Sequence, residues 1–391
     1  MTAYSHSFTR SEIAPVILVS LISALRLLGI FLMLPIFSAY ALRYPGASPA
    51  LAGIAFGIYA LVQCILQIPL GWASDRWGRK PVLLIGLALF CVGSASCALA
   101  ESIAGLILAR ALQGTGAVGG VAFAALADLT RPTVRAQAYT VTGIAIGASF
   151  VIGLLAGPLL AAHFGLDGLF YLLALLGLVS LLIAAMTFPV ERRADRRESP
   201  TALKPLLMHA GLRPIFIATF VLSFALNLFF FTYPLSWTEI GFDKAQLWRV
   251  YLVIFLPSVL LVFPYMRRAE REGHFHRPIM IGWLTATLGY VAYLFGAQID
   301  LLLYLSGAAF FFGYSMYQPM LPAFLTRQVP AAGRGAASGM YNFFGFIGAS
   351  LGGMLGGALI QVSPTLPEFL GVAVLLAWYF FGLPVPPQVD S

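Results

Sequence analysis

The chain has 391 residues, of which 60% are hydrophobic and only 10% are charged, and its mean hydropathy is +0.89. Long apolar stretches of this kind predict membrane-spanning helices, because lipid offers no partner for backbone N–H and C=O groups. The short connections between these stretches exclude a soluble catalytic domain. The net charge of +8 is distributed over loops, so we expect the lipid bilayer and not a nucleic acid as the partner of this chain.

Twelve stretches are long and apolar enough to cross a bilayer, which requires about 20 residues each. In chain order they are approximately residues 15–41, 50–73, 81–99, 103–127, 136–161, 168–188, 214–236, 248–266, 278–297, 301–324, 337–361 and 366–386. Most of the 23 Lys and Arg residues lie in segments on the same side as the N-terminus. Cytoplasmic loops carry an excess of basic residues, so both termini are expected in the cytoplasm.

Neither the N-terminal segment nor the cysteines indicate a functional site. The first apolar run is too long for a cleaved signal peptide and contains Arg26. Cys64, Cys91 and Cys97 fall inside predicted helices, where packing is their expected role. The sequence therefore predicts neither a disulfide, a metal site nor a cofactor.

The chain divides into two halves that resemble each other. Residues 189–213 form the one long predicted cytoplasmic linker, between a first bundle at 1–188 and a second at 214–391. Three short patterns recur in the same order in both halves: Lys80-Pro81 and Arg277-Pro278, "LTR" at 129–131 and 325–327, and "IGAS" at 146–149 and 347–350. The sequence therefore predicts an all-α integral membrane protein with two six-helix bundles related by a pseudo-twofold axis along the membrane normal.

The stretch "GWASDRWGRK" at 71–80 concentrates charge between two apolar runs. Gly71 and Gly78 are expected to let two helix ends approach through a tight turn. An acid such as Asp75 is favoured beside a helix N-terminus by roughly 0.3–2 kcal/mol. The alternative is that these charges only orient the protein in the membrane, which leaves Asp75 and the two glycines unexplained.

This loop resembles the signature loop of the major facilitator superfamily, with Gly71, Asp75, Arg76, Gly78, Arg79 and Lys80 in its defining positions. "RALQG" at 110–114 and "GLLAGP" at 153–158 are also similar to family motifs, the second to one associated with antiporters. Most of the chain resembles the bacterial inner-membrane YajR-type drug exporters, in "RLLGIFLMLP" (26–35), "GIYALVQCILQIPLGWASDRWGRKP" (57–81), "LARALQGTGA" (108–117) and "LADLTR" (126–131).

The resemblance implies a latch on the cytoplasmic side. Asp75 would face the start of the eleventh span near Gly335–Ala337, and Arg79 would pair with Asp128. The expected latch therefore consists of Gly71, Asp75, Arg76, Gly78, Arg79, Lys80 and Asp128. In the second half, Phe324 stands where the first half has its acid, so one latch is predicted rather than two.

Polar residues at membrane depth are candidates for a central cavity, because charge there is costly unless it serves a function. They are Arg26, Tyr59, Gln63, Gln67, Arg110, Gln113, Asn227, Tyr314, Tyr317, Gln318 and Asn342. Arg26 and Arg110 either fix the packing through carbonyls and glutamines, or attract an anionic substrate or take part in proton coupling. We expect most aromatic side chains to face lipid.

Acidic residues fall in loops or near the ends of the predicted helices, among them Glu12, Asp75, Glu101, Asp128, Asp167, Glu239, Asp300 and Glu368. A coupling proton would then use Asp128, Glu239, His163 or a relay through Arg110. Gly153, Gly157 and Pro158 can serve helix packing alone, since small residues four apart let membrane helices approach.

The sequence and the resemblance together predict a monomeric secondary active transporter in the inner (plasma) membrane, not an enzyme. It would work by alternating access and export small molecules or drugs in exchange for protons. One alternative is a carrier of organic anions or neutral metabolites, which the two arginines favour. Another is a non-transporting membrane scaffold or sensor.

Overall fold

The computed structural model describes residues 8–116, 118–131, 133–188, 203–296, 299–329 and 334–384. These residues form helices and turns without a β-strand. The chain separates into two compact units: unit 1 comprises Met1–Ala47 and Ile58–Arg197, and unit 2 comprises Ser48–Gly57 and Glu198–Ser391. Of the predicted linker, residues 189–202 lie outside the described part and the short helix α8 (Leu203–Met208) follows them.

Seven helices account for the first half of the chain. They are α1 (Arg10–Met33), α2 (Phe37–Ala41), α3 (Pro49–Trp77), α4 (Arg79–Ala98), α5 (Ile103–Gly114), α6 (Gly119–Asp128) and α7 (Arg135–Thr187). Helix α7 contains both the fifth and the sixth predicted span, which meet at Gly165 with a φ of 68°. Only glycine adopts this φ without strain, so Gly165 turns the chain between the two spans.

Two predicted spans of unit 1 are interrupted, which the prediction missed. The first breaks between Met33 and Phe37, and the fourth between Gly114 and Gly119. Pro35 lies in the first break, and proline removes a helical hydrogen bond. Gly114, Gly116, Gly119 and Gly120 surround the second break, where glycine lowers helix stability. Backbone groups freed at such breaks need other partners.

Unit 2 contains the remaining long helices. They are α9 (Arg213–Glu239), α10 (Leu247–Glu272), α11 (His276–Gly296), α12 (Asp300–Gln328), α13 (Arg334–Val362) and α14 (Leu366–Phe381). Within this unit α9 packs along α13, and α11 packs on α12 and α14. In unit 1, α1 packs in the same way along α7, and α4 packs on α5 and α7. The two halves thus repeat one packing pattern, as expected for a duplicated unit.

With α5 and α6 counted together as one stretch, nine helical stretches in the described residues are long and apolar enough to cross a membrane. One of them covers the fifth and sixth spans together, and the shorter apolar helix α14 corresponds to the twelfth. Helix α12 is long enough, with 29 residues, and its tyrosines and glutamines lower its mean hydropathy. All twelve predicted spans therefore lie on helices of the structure.

Aromatic side chains form the interior of unit 2. This differs from the sequence prediction that most aromatic side chains face lipid. Phe229 on α9 stacks on Tyr233 at 4.2 Å and on Phe310 of α12 at 4.8 Å between ring centroids. The buried tyrosines donate to helix carbonyls: Tyr233 to Leu303 at 2.7 Å and Tyr290 to Ala225 at 2.5 Å. These bonds satisfy the phenol groups that burial would otherwise leave unpaired.

The glycine motif of α7 brings that helix against α1. A β-carbon at Gly153 would lie 2.6 Å from the β-carbon of Phe31, and one at Gly157 would overlap the carbonyl of Leu32. In unit 2, β-carbons at Gly348 and Gly352 of α13 would overlap the carbonyls of Phe220 and Phe224 on α9. The motif Gly153, Gly157 and Pro158 therefore has a packing role within unit 1, and any further role in antiport stays a prediction.

Candidate functional site

The charged loop at 71–80 forms a compact ionic cluster at the junction of α3 and α4. Gly78 has a φ of 100°, which allows the tight turn between the two helices. Arg79 then reaches Asp75 at 2.5 Å and Ser74 at 2.5 Å, and its Nε donates to Asp128 of α6 at 3.1 Å. The expected pair of Arg79 and Asp128 is thus present, and its action as a latch stays a prediction.

The other residues of this loop take separate positions. Lys80 donates to the carbonyl of Phe188 at 2.8 Å, which ties α4 to the end of α7. Arg76 lies 5.5 Å from the ring centroid of the exposed Trp72. No described residue of unit 1 lies within 4 Å of a β-carbon placed on Gly71, and its role in a close approach of helix ends stays a prediction.

Asp75 has an exposed side chain (64%), and its partner in unit 1 is Arg79. Its predicted position opposite the start of the eleventh span stays a prediction. The burial and surroundings of Gly335 lie outside what the structure describes.

The matching region of unit 2 is aromatic rather than ionic. Phe324, fully buried at the position that matches Asp128, meets Phe275 edge-on at 5.4 Å. Arg327 lies 5.9 Å from the Phe275 ring centroid. Nearby, Arg268 pairs with Glu272 at 2.8 Å on the surface and lowers the pKa of that carboxyl. The ionic cluster of unit 1 therefore has no counterpart of the same chemistry among the described residues here.

A buried polar network lies inside unit 1, where the fourth span is broken. Arg26 on α1 is 4% exposed and donates to the carbonyl of Gly116, which lies in the break between α5 and α6. Gln63 on α3 accepts from Arg26 at 3.1 and 3.3 Å and from the hydroxyl of Tyr59 at 3.2 Å, with its amide in the orientation that satisfies all these donors. These two acceptors of Arg26, the Gly116 carbonyl and the Gln63 amide oxygen, are uncharged.

Arg110 continues the same network on α5. It donates to Gln113 at 2.5 Å, and its guanidinium lies 4.8 Å from the ring centroid of Tyr59. Gln113 donates in turn to Ser94 of α4 at 2.8 Å. Since Tyr59 contacts both Gln63 and Arg110, the two arginines share one connected set of side chains, hereafter the arginine network: Arg26, Gln63, Tyr59, Arg110 and Gln113.

The remaining cavity candidates lie apart from this network. Gln67 is half-buried beside Gly120. Asn227 donates to the carbonyl of Ser223 in its own helix at 2.9 Å, Tyr314 stacks on Phe310, and Asn342 is half-buried. Gln318 is exposed on α12.

Tyr317 is placed differently from its prediction as a cavity residue. It is fully buried, donates to the carbonyl of Ile279 on α11 at 2.6 Å and contacts Trp378 of α14. These contacts give Tyr317 a packing role between three helices of unit 2, so they do not support a cavity role.

Two acids near helix ends are more deeply buried than their positions suggested. Glu12 and Glu368 are 5% and 4% exposed. The proton candidates Glu239 and His163 are exposed, and His163 bonds a carbonyl of its own helix. Sequence position alone did not separate the buried acids from the exposed ones, because the first turn of a membrane helix can lie in either setting.

Comparison with known proteins decides the family. A model of the Major Facilitator Superfamily matches residues 19–353 and again 215–391. This chain belongs to the major facilitator superfamily. It is 33% identical to the inner membrane transport protein YajR of Escherichia coli (strain K12) over 376 residues, which are 94% of this chain and 83% of that protein.

Two further similarities agree with this assignment. The chain is 29% identical to the multidrug resistance protein MdtH of Yersinia enterocolitica, over 91% of this chain and 88% of that protein. Its fold matches the crystal structure of the nucleoside transporter NupG (D323A mutant) with a TM-score of 0.75 at 15% identity, covering 94% of this chain and 98% of that one. The protein is therefore a multi-pass membrane transporter with the major facilitator fold, and not an enzyme.

The ionic cluster gives a first testable prediction. Asp128→Asn removes the charge that faces Arg79, and a hydrogen bond to a charged group contributes about 1.5–3 kcal/mol. We expect hydrogen–deuterium exchange at residues 74–82 and 124–131 to become about tenfold faster, because about 1.4 kcal/mol corresponds to a tenfold change in an opening equilibrium.

Glu272→Gln is the matched control for this prediction, because it breaks an exposed pair of the kind that contributes little. Exchange at residues 74–82 is expected to stay unchanged in this variant. Equal exchange in wild-type and Asp128→Asn protein would show that the cluster does not hold α4 and α6 together.

Proposed function

We propose that this protein is a proton-coupled exporter of small organic molecules that works by alternating access of two six-helix halves, residues 1–188 and 214–391. The observation that carries the proposal is the break of the fourth span beside Arg26. Discontinuous membrane helices are typical of substrate and ion sites in secondary transporters, since the freed backbone groups can bind polar ligands. Here the break presents the Gly116 carbonyl to Arg26, whose guanidinium also contacts the buried Gln63 and, through Tyr59, is connected to Arg110.

The similarity to the multidrug resistance protein MdtH supports export of drug-like molecules. The motif of Gly153, Gly157 and Pro158 supports antiport through its resemblance alone. The distribution of its basic residues supports both termini in the cytoplasm. The similarity to YajR supports the inner membrane, and we propose that the protein is a monomer.

Export can be tested in everted membrane vesicles. Vesicles that contain the protein and are energised to acidify their interior are expected to accumulate ethidium, and nigericin, which collapses the pH gradient, is expected to release it. Vesicles from the same cells without the protein provide the control. Equal accumulation in both preparations would contradict the proposal.

A second candidate function is the transport of organic anions, and Arg26 is the observation that favours it. Its guanidinium is buried and the acceptors given for it are the neutral Gly116 carbonyl and Gln63. A buried positive charge attracts an anion and repels a cation. Accumulation of carboxyfluorescein rather than ethidium in the same vesicles would select this second function.

A further inference from the structure

Glu368 is a buried acid that forms no ion pair with another described residue. It is the third residue of α14 and is 4% exposed. The sequence Thr365-Leu-Pro-Glu368 has the pattern of a capping box, in which threonine and glutamate satisfy the first turn of a helix. The box does not form: Thr365 has helical backbone angles and its hydroxyl pairs with Ser363 at 3.2 Å. Glu368 therefore does not take part in a capping box at the start of α14.

Glu12 has the same pattern in unit 1 and the opposite environment. In the sequence Thr9-Arg-Ser-Glu12 it is also the third residue of its helix, and the backbone N–H of Thr9 donates to its Oε2 at 2.9 Å. Arg131 donates to both of its oxygens, at 2.9 and 3.0 Å. The guanidinium compensates the charge of this carboxylate, so Glu12 acts as an ionic tie between α1 and the end of α6.

The surroundings of Glu368 are hydroxyl groups, aromatic rings and another acid. Its Oε2 has no hydrogen-bond partner among the described residues. On α11, Tyr293 lies within hydrogen-bond reach of the carboxyl and Tyr290 lies nearby. On α9, the exposed Glu239 lies close enough to act on it electrostatically.

Helix α13 is the third helix packed on α14. Its titratable residues are Arg334 and Tyr341, and Tyr341 lies 21 positions before the end of that helix at Val362. At 1.5 Å per residue this is about 30 Å from the start of α14. The groups that face Glu368 are therefore Tyr290, Tyr293 and Glu239, none of which supplies a positive charge.

An ionised carboxylate with an unpaired oxygen is costly in such an interior, whereas the neutral acid has only a hydroxyl and a carbonyl to satisfy. Tyr293 also bonds Ser236 at 2.8 Å. The Tyr293 hydroxyl, which lies within reach of Glu368, therefore links this acid to Ser236 on α9, the helix that ends at Glu239.

We propose that Glu368 is a proton-binding site of unit 2, which holds a proton in the buried state and exchanges it with water through Tyr293 and the Glu239 end of α9. Binding forms one O–H bond on the carboxylate and takes the proton from water; release reverses this step. The assignment of this proton to transport rests on the function proposed above. The pairing of Glu12 with Arg131 makes that acid unsuitable for the same role.

Infrared difference spectroscopy of the purified protein in proteoliposomes tests the site without a substrate. On a step from pH 7 to pH 10 we expect loss of a protonated-carboxyl C=O band in wild-type protein and in the control Glu101→Gln, whose exposed acid lies in a loop. The band is expected to be missing in Glu368→Gln and shifted in Tyr293→Phe. A band that persists unchanged in Glu368→Gln, or that wild-type protein lacks, would overturn the inference.

The same proteoliposomes separate this site from the proposed function. A pH gradient is expected to accelerate ethidium transport by wild-type protein and to leave transport by Glu368→Gln at its gradient-free rate. If the pH gradient does not change the rate of wild-type transport but the Glu368 band is present, proton coupling is refuted. The assignment of Glu368 as a proton-binding site would still hold. If the gradient accelerates wild-type and Glu368→Gln transport equally, Glu368 does not carry the proton that is coupled to transport.

Discussion

Gly157→Val is expected to prevent native packing of unit 1. A β-carbon at this position would overlap the carbonyl of Leu32, which belongs to the α1 backbone and cannot move aside like a flexible side chain. Overpacking commonly costs about 1–3 kcal/mol and backbone overlap more, a large part of the roughly 5–15 kcal/mol that stabilises a typical protein. We expect the monodisperse peak in size-exclusion chromatography to be lost, or the melting temperature of the remaining protein to fall strongly.

Gly143→Val is the matched control on the same helix. No described residue lies within 4 Å of a β-carbon at Gly143, so this variant is expected to give wild-type yield and a melting temperature close to that of wild type. Equal behaviour of the two variants would show that α7 does not approach α1 as closely as the structure indicates. The comparison separates a steric effect from a general intolerance of valine in α7.

Arg26→Met is expected to reduce transport at least tenfold. Methionine cannot donate to the Gly116 carbonyl or to Gln63, so the broken fourth span loses a partner and the arginine network loses one of its charges. Uptake of ethidium and of carboxyfluorescein into everted vesicles measures the effect on both candidate substrates. A loss confined to the anion would favour the second candidate function.

Arg26→Lys keeps the charge and removes the planar set of donors. We expect partial activity, above that of Arg26→Met and below wild type. Gln137→Leu provides the control, because Gln137 is exposed on α7, outside the arginine network and outside the predicted cavity residues. Wild-type transport of both dyes by Arg26→Met would leave Arg26 with a packing role alone.

The sequence predicted the helical spans of this protein well, because hydropathy summed over about 20 residues is insensitive to local detail. The same property explains the missed breaks after Met33 and after Gly114. Pro35 and the glycines around Gly116 are residues that disfavour a continuous helix and could have indicated the breaks. The high hydropathy averaged over each span masked their effect.

Contacts between distant residues were less predictable. The pair of Arg79 and Asp128 came from a family resemblance, and spacing alone could not have supplied it. Tyr317 and Glu368 show the limit most clearly, since a polar residue on a membrane helix can face a cavity, a neighbouring helix or lipid. The structure places Tyr317 between helices and buries Glu368 beside Tyr293, and neither position follows from the order of residues.

We propose that the arginine network of unit 1 binds the transported molecule. The most direct measurement is the ligand-dependent melting temperature of purified wild-type and Arg26→Met protein, screened against cationic drugs, organic anions and neutral metabolites. A compound that stabilises wild-type protein is expected to give a much smaller shift in Arg26→Met protein, provided that this variant is folded without ligand. Equal shifts in the two proteins, across every compound that binds, would contradict it.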